Sequence, residues 1–78
     1  MEALVVRLKK GHTSPEKTHV GEEIGLVVKG KICVTLDGVQ HILKEGDSIY
    51  FSATIPHMIE NIADSEAVLF WVMTPPNF

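Results

Sequence analysis

His19 and Glu23 stand four residues apart, and His57 follows thirty-four residues beyond the glutamate, just after Pro56 and with three residues between it and Asn61. Two imidazoles and one carboxylate are the donor set of a two-His-one-carboxylate metal centre, in which the remaining coordination positions stay open to water or a ligand. Residues so far apart in sequence meet only if the chain folds back on itself as a compact antiparallel barrel. The chemistry therefore depends on the elements that carry them.

Those elements read as strands. Leu4, Val6 and Leu8 alternate with Val5, Arg7 and Lys9, and Ile32, Val34 and Leu36 alternate with Lys31, Cys33 and Thr35. A period of two is the mark of a half-buried strand, whereas a helix needs 3.6. Turn signals recur at short intervals: Gly11 with Ser14-Pro15, Lys29-Gly30, Asp37-Gly38, Glu45-Gly46-Asp47, Ile55-Pro56 and Ala63-Asp64-Ser65. Asp37-Gly38 is a strong signal for a two-residue hairpin loop. The pattern predicts about seven short strands, over residues 3–9, 23–28, 31–36, 39–44, 48–52, 57–62 and 67–74, and no helix. Many short strands punctuated by Gly and Pro make an all-β sandwich or barrel. The tail Thr74-Pro75-Pro76-Asn77-Phe78 cannot continue a central strand, since proline has no ladder donor.

Composition narrows the function. The 78 residues suffice for one domain, read as spanning residues 1–78, with 45% hydrophobic residues and a net charge of −3. A chain of this length buries only roughly 60% of its unfolded surface, so its core is thin and association is one way to add burial. The seven basic residues are scattered and form no stripe, so direct nucleic-acid binding by this domain is not expected. Cys33 is the single cysteine and sits in a strand pattern, so it reads as a packed side chain and no internal disulfide can form. Residues 1–10 lack the features of a secretory leader, and no apolar run reaches membrane-spanning length. A cytoplasmic, membrane-free address is expected.

In its two spaced motifs the chain resembles the cupin family of small jelly-roll-like β-barrels. The first motif runs from Gly11 through the two histidine places, held by Lys17 and His19, to Glu23 and Gly30. The second runs from Gly46 through Ser52 and Thr54, in the Pro and Gly places, to His57 and Asn61. More narrowly, the stretches His19–Gly30, Leu43–Phe51, Ile55–His57 and Trp71–Phe78 resemble the C-terminal, ligand-sensing cupin domain of helix-turn-helix transcription regulators. The 78 residues contain no segment that reads as the DNA-binding domain of such regulators.

The resemblance implies metal ligands at His19, Glu23 and His57, holding a divalent ion such as Zn, Ni, Mn or Fe. Lys17 replaces the fourth ligand, and an ammonium donates hydrogen bonds but does not ligate. Two readings stand side by side. The three donors hold a metal as a facial triad, or they form a metal-free hydrogen-bonded cluster in which a Lys17–Glu23 ion pair replaces the metal charge. Lys17, Ser52 and Asn61 are candidate ligand-pocket residues. His12 and His41 read as surface residues, Asp47 as a turn former, and Glu22 as solvated opposite an inward Glu23. The implied function is a noncatalytic module that binds and senses a small molecule. The alternatives are a metal-dependent enzyme of dioxygenase or isomerase type, and a dimerisation module with a degenerate pocket. Apolar residues on both faces of 4–8 and 67–73 predict a homodimer.

Overall fold

A computed structural model describes residues 1–75 of the chain. Pro76, Asn77 and Phe78, which belong to the tail that resembles the regulators, lie outside the described residues. Seven strands follow one another: β1 (Glu2–Leu8), β2 (Glu22–Lys29), β3 (Lys31–Leu36), β4 (Val39–Lys44), β5 (Ser48–Ser52), β6 (His57–Asn61) and β7 (Ala67–Thr74). They form two antiparallel sheets, β1-β7-β2-β5 and β4-β3-β6. The period-two reading located each strand to within one residue at either end.

The turns explain the topology. Asp37 and Gly38 both have positive φ, 48° and 79°, so the β3–β4 hairpin is closed by the two-residue turn that their sequence demands. Between β4 and β5, Gly46 takes φ 86°, and the Asp47 carboxylate accepts a 2.9 Å hydrogen bond from the Lys44 amide. Between the sheets lies the core, with Val27, Ile32, Val34, Leu43, Phe51, Leu69, Trp71 and Met73 buried together. Each fully buried aliphatic side chain of this kind contributes about 1.5–3 kcal/mol. Cys33 is buried and free.

Lys17 and His19 lie between β1 and β2, in a segment that forms no named strand. This segment is a loop that crosses the free edge of β6 and touches it through two isolated bridges, Thr13 with Glu60 and Lys17 with His57. The bridges are short because Ser14-Pro15 interrupts the pairing. This strap covers an edge that would otherwise expose unpaired backbone groups.

On the outside of the four-stranded sheet, apolar residues line up across strands. Val5 faces Phe70, which faces Leu26; Ala3 faces Val72, which faces Ile24 and then Tyr50. Val5 is 64% and Tyr50 62% exposed.

Candidate metal centre and its cavity

Three elements deliver the candidate ligands to one place. Glu23 is the second residue of β2, and strand alternation turns it inward while Glu22 and Ile24 face out. His57 opens β6, with its backbone N–H and C=O both bonded to Lys17 at 3.0 Å. His19 belongs to the strap and is anchored by its own amide, which donates to Ala53 O at 2.9 Å, while the Ala53 amide donates to Gly21 O at 2.8 Å. Ligand atoms of His19, Glu23 and His57 all lie within 4.8 Å of one another. Glu23 is 2% and His57 1% exposed.

The hydrogen bonds fix the tautomers. His57 Nδ1 lies 2.8 Å from Ile55 O and His19 Nδ1 lies 3.1 Å from Val20 O. A carbonyl oxygen only accepts, so both rings donate from Nδ1 and, when neutral, carry their lone pair on Nε2. Both Nε2 atoms face the same carboxylate oxygen: His19 Nε2 is 2.8 Å and His57 Nε2 3.2 Å from Glu23 Oε2. The His57 contact has the distance but not the angles of a hydrogen bond, and this buried nitrogen has no hydrogen-bond partner among the described residues. With both rings neutral, three electron-pair donors converge on one point, an arrangement that repels itself unless a proton, as in a His19–Glu23 hydrogen bond, or a cation stands among them.

Glu23 is aimed by Trp71. The indole Nε1–H donates to Glu23 Oε1 at 2.6 Å, which leaves Oε2 to face the histidines. Motif spacing does not single out Trp71 as a partner of Glu23. A signal was present, because a glycine in the middle of a strand marks a close approach. Gly25 sits opposite Trp71, and a Cβ there would collide with the indole ring. Replacing Trp71 with Phe keeps the ring but removes the donor. It is expected to weaken divalent-metal binding about 10–100-fold, the usual loss when a ligand's supporting hydrogen bond is removed, measured by competition with a chelating dye.

Beside the cluster opens a cavity of about 260 Å³. Its apolar wall comes from Leu4, Val6 and Leu8 of β1 and from Leu69, Trp71 and Met73 of β7. Glu23 and His57 form one end, and the strap adds His12, Ser14 and Lys17. His12 is exposed, as its loop setting implied. It lines this cavity because the strap folds across β6, a placement set by backbone bridges with no side-chain pattern to announce it.

Two of the sequence-derived pocket residues lie elsewhere. Ser52 is not on the cavity wall; its neighbour Phe51 packs inward against His57 with ring centroids 5.1 Å apart, so Ser52 turns away and its hydroxyl meets that of Thr54 at 2.8 Å. Asn61 is buried but also outside the wall: its amide donates to Leu8 O, Lys9 O and Ser65 O, and its Oδ1 accepts from the Ala63 amide. All its polar atoms are spent on backbone. The Lys17–Glu23 ion pair is not formed either, since the carboxylate is engaged by Trp71 and faces the two histidines. Lys17 makes no ion pair among the described residues.

A family model described as a cupin domain matches residues 4–73. The chain belongs to the cupin family. This cupin is 35% identical over 69 residues to the HTH-type transcriptional regulator PuuR of Escherichia coli, covering 87% of the cupin and 37% of that regulator. An uncharacterized protein of Methanocaldococcus jannaschii is 35% identical over 60 residues, 77% of this cupin and 48% of that protein. The cupin therefore spans less than half the length of either curated relative, and it resembles the C-terminal cupin domains of such regulators. The cupin domain of Cnp3 from Schizosaccharomyces pombe superposes with a TM-score of 0.86 at 22% identity, over 91% of this chain and 53% of that one. At that identity the likeness is one of fold.

Proposed function

We infer that the chain is a small-molecule-sensing cupin module that holds a divalent metal at His19, Glu23 and His57. The observation that carries the metal is the unpartnered Nε2 of His57. A proton on His19 Nε2 would satisfy His19 and Glu23 with one hydrogen bond, yet leave His57 Nε2 buried with nothing to bind. A cation among the three donors satisfies all of them, and both rings are already held in the ligating tautomer by their Nδ1 bonds to carbonyls. When bound, such an ion supplies positive charge and open coordination positions for a ligand donor. The chain's own part is to fix Glu23 through Trp71, to orient both imidazoles, and to wall the adjoining space with apolar side chains.

The regulator PuuR supports a sensing role, since the match covers most of this chain and a minor share of that protein. The same reading places the module in the cytoplasm, where a free buried Cys33 is the common state. Among the described residues, no helix is long and apolar enough to cross a membrane. Titration of the chelator-stripped chain with Zn, Ni, Mn and Fe(II), read by calorimetry, is expected to give one site per chain for at least one ion. Heat of dilution alone with all four would exclude the metal.

The sensing module is also read as a homodimer. Two uncharged apolar rows cross the outer face of the four-stranded sheet, Ala3-Val72-Ile24-Tyr50 and Val5-Phe70-Leu26. Such a patch suits an equivalent patch on a second copy about a two-fold axis. Light scattering at micromolar concentration is expected to return twice the chain mass. Phe70→Lys, at the centre of the patch, is expected to return the monomer mass with an unchanged circular dichroism spectrum.

A further inference from the structure

Lys17 stands where its family places a metal ligand, and the structure gives it a defined position. Its backbone exchanges both hydrogen bonds with His57, N to O and O to N, each at 3.0 Å. Residues so paired in an antiparallel bridge send their side chains to the same side, with Cβ atoms about 5 Å apart. Lys17 therefore projects beside His57, and both line the cavity. Its ammonium has no carboxylate partner among the described residues. The cavity is thus lined by Glu23 and His57, by the exposed Lys17 whose backbone pairs with His57, and by aliphatic side chains from β1 and β7.

We propose that this cavity takes a small monocarboxylic acid, its carboxylate held between Lys17 and the His19–Glu23–His57 centre and its apolar body laid against Leu4, Val6, Leu69 and Met73. The proposal rests on the metal-holding reading and adds the class of ligand to it. Charge selects the class. With a divalent ion bound, the single negative charge of Glu23 is outweighed by that ion and by Lys17, so the polar lining of the cavity is net positive and repels an amine. A single ammonium suits one carboxylate; a phosphate ester draws on several donors or an arginine fork, and the cavity wall holds no arginine. Size sets the length. A cavity of 150 Å³ accommodates benzene, so 260 Å³ accommodates about ten non-hydrogen atoms. Phenylacetate has that size.

The test uses the full chain loaded with Co(II), whose visible spectrum reports metal uptake apart from ligand binding. Phenylacetate, phenylacetamide, phenethylamine and inorganic phosphate are then titrated by calorimetry. Phenylacetate is expected to bind at least about ten-fold more tightly than the amide, the worth of one charge-assisted hydrogen bond, and to perturb the Co(II) spectrum. The amine and phosphate are expected to give no binding. Lys17→Met is expected to lower phenylacetate affinity about ten-fold while leaving Co(II) affinity within two-fold, and Lys17→Arg to restore most of the loss. Equal binding of acid and amide, preference for the amine or phosphate, or indifference to Lys17→Met would each overturn the proposal. Absence of a Co(II) spectrum, together with no binding of Zn, Ni, Mn or Fe(II), would overturn the metal reading instead. In that event the same four compounds are titrated into the metal-free chain, where Lys17-dependent binding of phenylacetate sustains the carboxylate assignment and its absence ends it.

Discussion

Substituting His57 with alanine is expected to abolish metal binding, lowering affinity by at least about 100-fold, because one of only three protein ligands disappears. The fold should survive. His57 is fully buried, but it opens β6 at the edge of the core, and its backbone bonds to Lys17 do not depend on its side chain. The truncation leaves Ile55 O without its 2.8 Å donor and a small void against Phe51, together worth about 2–3 kcal/mol. Calorimetric metal titration and a thermal melt separate the two effects. His41→Ala, on the exposed face of β4, should change neither. If the His57 variant retained full metal affinity, the centre would have to lie elsewhere. If it failed to fold, His57→Asn, which keeps a donor near Ile55 O, would distinguish lost ligation from lost packing.

Asn61→Ala is expected to act in the opposite sense, on stability and not on binding. Its side chain joins three carbonyls, from the end of β1 and from the turn before β7, to an amide just beyond β6. Removing it strands several of these groups at a buried position, at a cost of about 2–4 kcal/mol. For a domain this small, that lowers the urea midpoint by at least about 1 M. Metal affinity of the folded fraction should be unchanged. Ser52→Ala, at the other position first read as a pocket residue, should change stability by less than about 0.5 kcal/mol, because its hydroxyl is bonded only to Thr54. Loss of metal or phenylacetate binding by folded Asn61→Ala would return this residue to the binding site.

Strand positions and facing were legible in the sequence because the pleat writes them directly: side chains alternate with period two, and Gly and Asp mark the positive-φ turns. From that alternation alone Glu23 faces inward and Glu22 outward, and His57 and Asn61 share a face. Residue type and spacing also indicated that His19, Glu23 and His57 belong together, and the structure brings their donor atoms within 4.8 Å. Facing, however, does not specify a partner. His57 and Asn61 share an inward face, yet one meets a carboxylate and the other the backbone of two segments, because what lies opposite each is fixed by how the chain packs around β6. Ser52 took a motif position, but the pleat that buries Phe51 turns it away. The strap holding Lys17 and His12 against the cavity follows two isolated bridges, and Trp71 reaches Glu23 across forty-eight residues because Gly25 leaves room for its ring. Local backbone preference repeats along the chain and can be read from it. Contacts between segments distant in sequence depend on closure of the barrel, and only the tertiary structure determines them.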